Sequence, residues 1–263
     1  MIKGSAGKQA GLGSWALRGN LLRAGFIILT AVYILLPGFQ EAVLSLLYPG
    51  ENQFLHSRVS LARMTLIHMG LTAGATLLSV GAGVILGVTV TRRGGKDFQT
   101  MLKRINGFIQ TFPPSAVIIL AFPFLGFGWE PTMLALFLYS LFPVVGNTIV
   151  GFQSIRPGIL DAARGMGMNE SQRLFIVEMP QALPLIFTGI RHAFILNLGT
   201  AAIGAVIGAG GLGTIIISGL TLQNSALVLS GTIVTIALAF GGEMLINRVE
   251  SLLSKGAAGS SGR

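Results

Sequence analysis

Cysteine is absent from the 263 residues, and charged side chains make up only 10% of them. The first absence excludes disulfides and thiolate metal sites, and it leaves the redox compartment open. The second carries more weight. A soluble domain has about 25% charged residues, whereas here 52% are hydrophobic and the mean hydropathy is +0.75. Such a chain cannot solvate its own surface, so its solvent is lipid. There is also no Gly-x-x-x-x-Gly-Lys-Ser/Thr segment to cradle phosphates, which excludes a nucleotide-hydrolysing motor. The three histidines, His56, His68 and His192, are scattered, and every acid falls in a loop or near the end of an apolar run. A membrane hydrolase needs a cluster that is missing here, and an ion-coupled carrier usually needs an acid near the midplane. No catalytic residue, metal site or cofactor is expected.

What is present is a series of apolar runs, each about as long as a bilayer is thick. Six spans are predicted, at about 22–40, 66–90, 108–126, 132–152, 184–206 and 226–246. The fourth contains Pro143 and the fifth begins at Pro184. The first run, Ala24 to Phe39, follows Arg18 and Arg23 but has no small-residue cleavage site behind it, so it reads as an uncleaved span. The net charge of +9 fits basic loops on the cytosolic face rather than nucleic acid. With the N-terminus inside, only Arg58 and Arg63 of the eighteen basic residues fall outside. Both termini and the loop at about 153–182 are therefore expected in the cytosol. The domain plan is a cytoplasmic tail over 1–21, one membrane domain over 22–250 and a disordered cytoplasmic tail over 251–263. A chain of this length has no room for a further solute-binding domain beside six spans.

The loop at 153–182 is the one long polar insert. Pro157 suits the first turn of a helix, where a missing N–H costs nothing. Gly165 and Gly167 are placed to stop that helix. Asn169 then caps a second helix, with Gln172 three residues on as a variant capping box, and Pro180 ends it. Ala162 and Ala163 leave a low surface that another protein can approach, and the competing reading is an amphipathic helix resting on headgroups.

Asp161-Ala162-Ala163, Gly167 and Val177-Glu178-Met179-Pro180 resemble the cytoplasmic coupling motif of permease subunits from binding-protein-dependent ABC importers. That motif reads Glu-Ala-Ala, three residues, Gly, nine residues, Ile-x-Leu-Pro; the departures are Asp for Glu, Val for Ile and Met for Leu. Gln110-Thr-Phe-Pro-Pro114, Leu136 to Pro143 with Asn147-Thr148, Ala162 to Met168 and Ile207 to Gly213 are similar to the quaternary-amine branch, which takes up glycine betaine, choline or carnitine. The resemblance covers roughly 64–250. It implies an all-α polytopic membrane protein with the type I ABC importer permease fold and a cytoplasmic coupling helix. Asp161, Ala162, Ala163, Arg164, Gly165, Gly167, Glu178 and Pro180 would form the coupling site for an ABC ATPase present in two copies. A second permease subunit, a periplasmic or lipid-anchored substrate-binding protein and the bilayer of a bacterial inner membrane are the other implied partners. Methionine and other small-solute permeases share several of these patterns, and a secondary transporter or channel is the rival of another class.

Gly208, Gly210, Gly211 and Gly213 match Gly-x-Gly-x-x-Gly, but no strand precedes them and no acid follows until Glu243, so a dinucleotide site is rejected. On the outer face they read either as a tight re-entrant turn or as close packing. Gly70/Gly74, Gly83/Gly87 and Gly204/Gly208 read as flat stripes for helix contact. Gln110, Asn147, Thr148, Asn197 and Thr200 are the pathway candidates, against a plainer role in interhelical hydrogen bonding. Phe124, Phe127 and Trp129 fit an aromatic belt. Glu243 is expected to snorkel or to meet Arg248, and His68 to be a packing histidine. With few aromatics and no midplane carboxylate, the pore is expected to pass a solute rather than grip it.

Overall fold

Pro37 cannot donate to the turn before it, and the helix that begins at Ala24 breaks there. The two pieces, α1 (Ala24–Leu35) and α2 (Pro37–Leu47), meet at 98°. The computed structural model describes residues 24–92, 95, 98, 99, 101, 102, 104, 105 and 111–260, and in it these are followed by the helices that build the bundle. They are α3 (Leu61–Thr91), α4 (Pro114–Leu125), α5 (Trp129–Gln153), α6 (Pro157–Gly165), α7 (Glu170–Ile207), α8 (Leu212–Thr221) and α9 (Ser225–Ser260). No strand occurs among the described residues.

Four helices, α3, α5, α7 and the Ser225–Ser254 part of α9, are long and apolar enough to cross a bilayer, and the bent α1–α2 pair makes five. Among the described residues the count by length and apolarity is thus four or five, beside the six expected. The described part of the span expected at 108–126 holds the twelve-residue α4, about 18 Å long, which Pro114 opens because proline suits a first turn. Positions 108–110 lie outside the described residues. The span expected at 22–40 is cut by its own proline. Pro143 does not interrupt α5, and Pro184 lies inside α7 rather than at its start. The tail expected to be disordered from 251 is helical to Ser260. Leu252, Leu253, Ala257 and Ala258 are strong helix formers, and extending an existing helix needs no new nucleus. The segments 1–23 and 261–263, and Gln110, lie outside the described residues.

The centre of the bundle is α3, α5 and α7, brought together where side chains vanish. A Cβ on Gly83 would sit 2.8 Å from Val144, and one on Gly87 would sit 2.5 Å from Thr148. The Gly83/Gly87 stripe on α3 thus receives two residues four apart on α5, which is the contact expected of it. A Cβ on Gly189 would fall 2.7 Å from the Pro143 carbonyl oxygen and one on Gly151 3.0 Å from that of Ala182, so these glycines let α5 close against α7. The other stripes are only half used. A Cβ on Gly74 would meet Met133 and one on Gly204 would clash with Thr132, while one on Gly70 or Gly208 would meet nothing within 4 Å.

α1 and α9 flank this core through Phe26 against Phe240 and the cluster of Tyr33, Leu61, Met64, Leu212 and Leu227. At one end the 48–60 loop is tied to the α8–α9 turn. There the Ser225 amide donates to Glu51 at 3.0 Å, and the Asn224 amide donates to the Gln53 carbonyl at 2.8 Å. At the other end lie α6 and the described arginines 92, 156, 164, 173 and 248. Many large apolar side chains on the periphery, Leu66, Leu77, Ile85, Phe124 and Leu245 among them, are exposed, as a lipid-facing surface requires. Of the charges inside the last two long helices, Arg191 pairs with Glu250 at 2.5 Å, with Asn247 beside it. Arg191 is thus the partner across the C-terminal part of α9, while Glu243 and Arg248 both remain exposed.

Candidate functional site

The elbow between α5 and α7 is built as a rigid knob. Arg156 is extended, Pro157 opens α6, and nine residues later the helix closes in a Schellman motif. In that motif the Gly167 amide donates to Arg164 at 2.9 Å and the Met168 amide to Ala163 at 3.2 Å. Gly167 is the left-handed residue, at φ +76°, while Gly165 remains helical. Only one of the two expected stop glycines is therefore conformationally required. Asn169 caps the next turn with both halves of the capping box formed, at 2.8 and 2.9 Å to Gln172.

The knob has an inside and an outside. Ile159, Leu160 and Ala163 pack inward beside Phe152, Ile155, Ala182 and Ile186. Ala163 is 1% exposed, so it belongs to the anchor rather than to the low outer surface expected of it. Helical spacing turns the opposite face outward, and Gly158, Asp161, Ala162 and Gly165 are all exposed. Three of these four have no atom beyond Cβ. Asp161 is held by Arg164 one turn on, at 3.0 Å. Met166, within the Ala162–Met168 stretch, adds a large exposed apolar side chain at the tip.

Below the knob the second helix does not stop at Pro180. Glu170–Gln172 passes into a π-helical stretch, Arg173–Glu178, and then into Met179–Ala201 without a break. The wider i→i+5 winding ends just before Pro180, where an N–H would otherwise be needed. It also brings Arg173 and Glu178, five residues apart, into a 2.8 Å ion pair. Glu178 is not an outward coupling residue. Its carboxylate is buried, and it takes Arg173 on one oxygen and Arg92, from the end of α3, on the other at 2.8 Å. Arg92 in turn lies 5.5 Å from the ring of Phe152 at the end of α5. One acid therefore ties α3, α5 and the start of α7 together under the knob. Arg92 and Arg173 read in the sequence only as loop charges, and the available signal was an acid set among apolar residues beside a proline.

The pathway candidates are mostly engaged with their own helices. Thr148 is buried and donates to the Val144 carbonyl at 2.7 Å, and Asn147 donates to Pro143 at 2.8 Å. Asn197 is fully buried on α7 and donates to Thr76 of α3 at 3.0 Å, and Thr200 is buried three residues on. His68, fully buried one side of that polar seam, bonds the Leu198 carbonyl at 3.0 Å. The glycine run both turns the chain and packs closely. Gly208, Gly210 and Gly211 have φ of +85°, +81° and +78° and turn the chain sharply between α7 and α8. Gly213 lies so close to the Ala202 carbonyl that a Cβ would fall 2.0 Å from it. The Gly128 amide closes the turn on Ile207 at 2.9 Å.

Comparison with known proteins places this architecture. Residues 79–255 match the family described as "binding-protein-dependent transport system inner membrane component". The osmoprotectant import permease protein OsmW of Salmonella typhimurium is 39% identical, over 74% of this chain and 92% of its own length. The carnitine transport permease protein OpuCD of Listeria monocytogenes is 36% identical, over 71% of this chain and 83% of its own. The choline transport system permease protein OpuBD of Bacillus subtilis is 35% identical, over 71% and 82%. Among solved structures, a chain of the MetNI methionine ABC transporter in an inward-facing conformation is 21% identical with a TM-score of 0.65, covering 73% of this chain and 95% of that one. At that identity the structural likeness speaks for the fold.

Proposed function

The chain belongs to the family of inner membrane components of binding-protein-dependent transport systems, and from that premise we propose that it forms half of a translocation pore for small quaternary amines such as glycine betaine, choline or carnitine. The identity to permeases named for osmoprotectant, carnitine and choline transport carries the substrate class. The elbow supports the mechanism. Its outer face of Gly158, Asp161, Ala162 and Gly165 lets a cleft in an ATPase subunit approach the backbone, and Met166 supplies an apolar anchor at the tip. Two ATPases closing on nucleotide would move two such knobs, switching a pair of permeases between inward-facing and outward-facing packings. The Glu178 clamp passes that displacement to α3 and α5 as a unit. ATP hydrolysis and solute capture fall to separate subunits, the second a periplasmic or lipid-anchored binding protein. Uptake of labelled glycine betaine, choline and methionine by cells expressing the permease with its ATPase and binding protein tests this. Uptake of methionine alone would overturn the substrate class, and uptake that persists without an ATPase would overturn the mechanism.

The clustering of described arginines at the elbow end supports a cytosolic elbow. Because the native chain has no cysteine, single cysteines report topology without background. Those at Ser171 and Ser260 resist an impermeant maleimide added to intact cells, and one at Ser57 reacts. The reverse pattern would invert the topology.

A further inference from the structure

With Thr148, Asn197 and Thr200 buried in helix contacts, open space for a solute must lie elsewhere. A cavity of about 640 Å³ lies between the start of α4, the middle of α5 and the middle of α7, lined among others by Phe112, Tyr139, Pro143, His192 and Leu196. Its depth follows from the helices. Tyr139 is ten residues from the start of α5 and fourteen from its end, about 15 and 21 Å. The cavity is thus near the middle of the bundle, within the size range of small-molecule sites.

Its lining is distinctive. The described residues that line it include no Asp, Glu, Lys or Arg, yet they bring three aromatic rings, Phe112, Tyr139 and His192. The Tyr139 hydroxyl donates to the Phe112 carbonyl and holds the two ring-bearing segments together, and Pro113, Pro114 and Pro143 stiffen the wall around them. The His192 side chain is exposed on the same wall, and its imidazole can donate an N–H. Aromatic faces attract a cation without a counter-charge, and they do so best when the ion is too poorly hydrated to prefer water, as a methylated ammonium is.

We propose that this cavity is a transit subsite for the quaternary-ammonium solute, with its methylated head on the Phe112 and Tyr139 rings and the His192 imidazole donating to a solute carboxylate. The assignment rests on the substrate class proposed above. Two or three rings in a space larger than the solute give weak binding, in the millimolar range, so the solute is recognised on its way and still released.

Ligand-detected NMR on the permease–ATPase complex in nanodiscs tests the site without the binding protein, using tetramethylammonium and glycine betaine as probes. Both bind with dissociation constants on the order of millimolar. Phe112→Leu, which keeps bulk but removes the ring, weakens both by roughly fivefold. His192→Ala weakens glycine betaine about tenfold and tetramethylammonium less than about twofold, and His192→Gln, which keeps a donor, restores most of the difference. No binding of either probe up to on the order of 0.1 M, or equal weakening of both in His192→Ala, overturns the subsite. Quaternary-amine uptake by cells is read separately, so loss of the subsite leaves the substrate class standing, whereas absent uptake removes both.

Discussion

Gly167→Pro abolishes uptake while the membrane helices fold and insert normally. Gly167 sits at φ +76°, and proline is confined near −65°, so the elbow cannot close over the end of α6. The incompatible backbone costs about 3 kcal/mol or more, roughly a hundredfold in the population of the closed knob. Gly167→Ala is the graded control. No atom lies within 4 Å of the added Cβ, so its cost is the left-handed conformation alone, about 1–2 kcal/mol, and uptake falls without vanishing. Ala162→Arg attacks the same site from outside. Ala162 is exposed and holds nothing within the chain, so the guanidinium leaves the fold intact and blocks close approach of the ATPase. The expected result for both Gly167→Pro and Ala162→Arg is normal membrane yield, weakened copurification of the ATPase and lost uptake. Full uptake in either would remove α6 from the coupling site. Ala163→Arg is not equivalent, because that side chain faces the anchor and the variant disrupts the elbow itself.

Glu178→Gln separates docking from transmission. The ATPase still binds, because the outer face of α6 is untouched, but solute-dependent ATP hydrolysis and uptake fall together. Removing one member of a buried ion pair costs about 3–5 kcal/mol. Here Arg92 keeps 31% of its side chain exposed, so screening lowers the expected cost to about 2 kcal/mol. Exchange of the 157–178 amides accordingly quickens by roughly thirtyfold. Arg92→Met combined with Glu178→Gln does less harm than the sum of the two single changes, since Glu178→Gln strands Arg92 and Arg92→Met leaves Glu178 with Arg173 alone. Additive effects would mean that the two residues act separately. Unchanged exchange and uptake in Glu178→Gln would remove the clamp altogether.

Both variants show where sequence reading succeeds and where it fails. The knob was legible because its signals are local. Pro157, Gly167 and the Asn169–Gln172 pair act through neighbours within four residues, and each took the role its chemistry prescribes. The long spans were equally legible, since apolar length is an additive property of a segment. Span ends and breaks were less so. Pro37 breaks its helix by 98° and Pro143 does not break its own, although the same ring removes the same donor. Around Pro143 the chains of α3 and α7 pack tightly on both sides, and the neighbourhood rather than the residue decides.

The sequence by itself determined the solvent of this protein, the presence of its long apolar helices and the existence and caps of the elbow, because burial in lipid and capping depend on composition and near neighbours. Only the tertiary structure decided which face of α6 looks outward. It alone turned Glu178 inward to Arg92, eighty-six positions away in the chain, and it alone left open space beside Tyr139 and His192 instead of Asn197. Those outcomes depend on which helices touch and at what angle, and a contact between distant segments leaves no periodicity in either one.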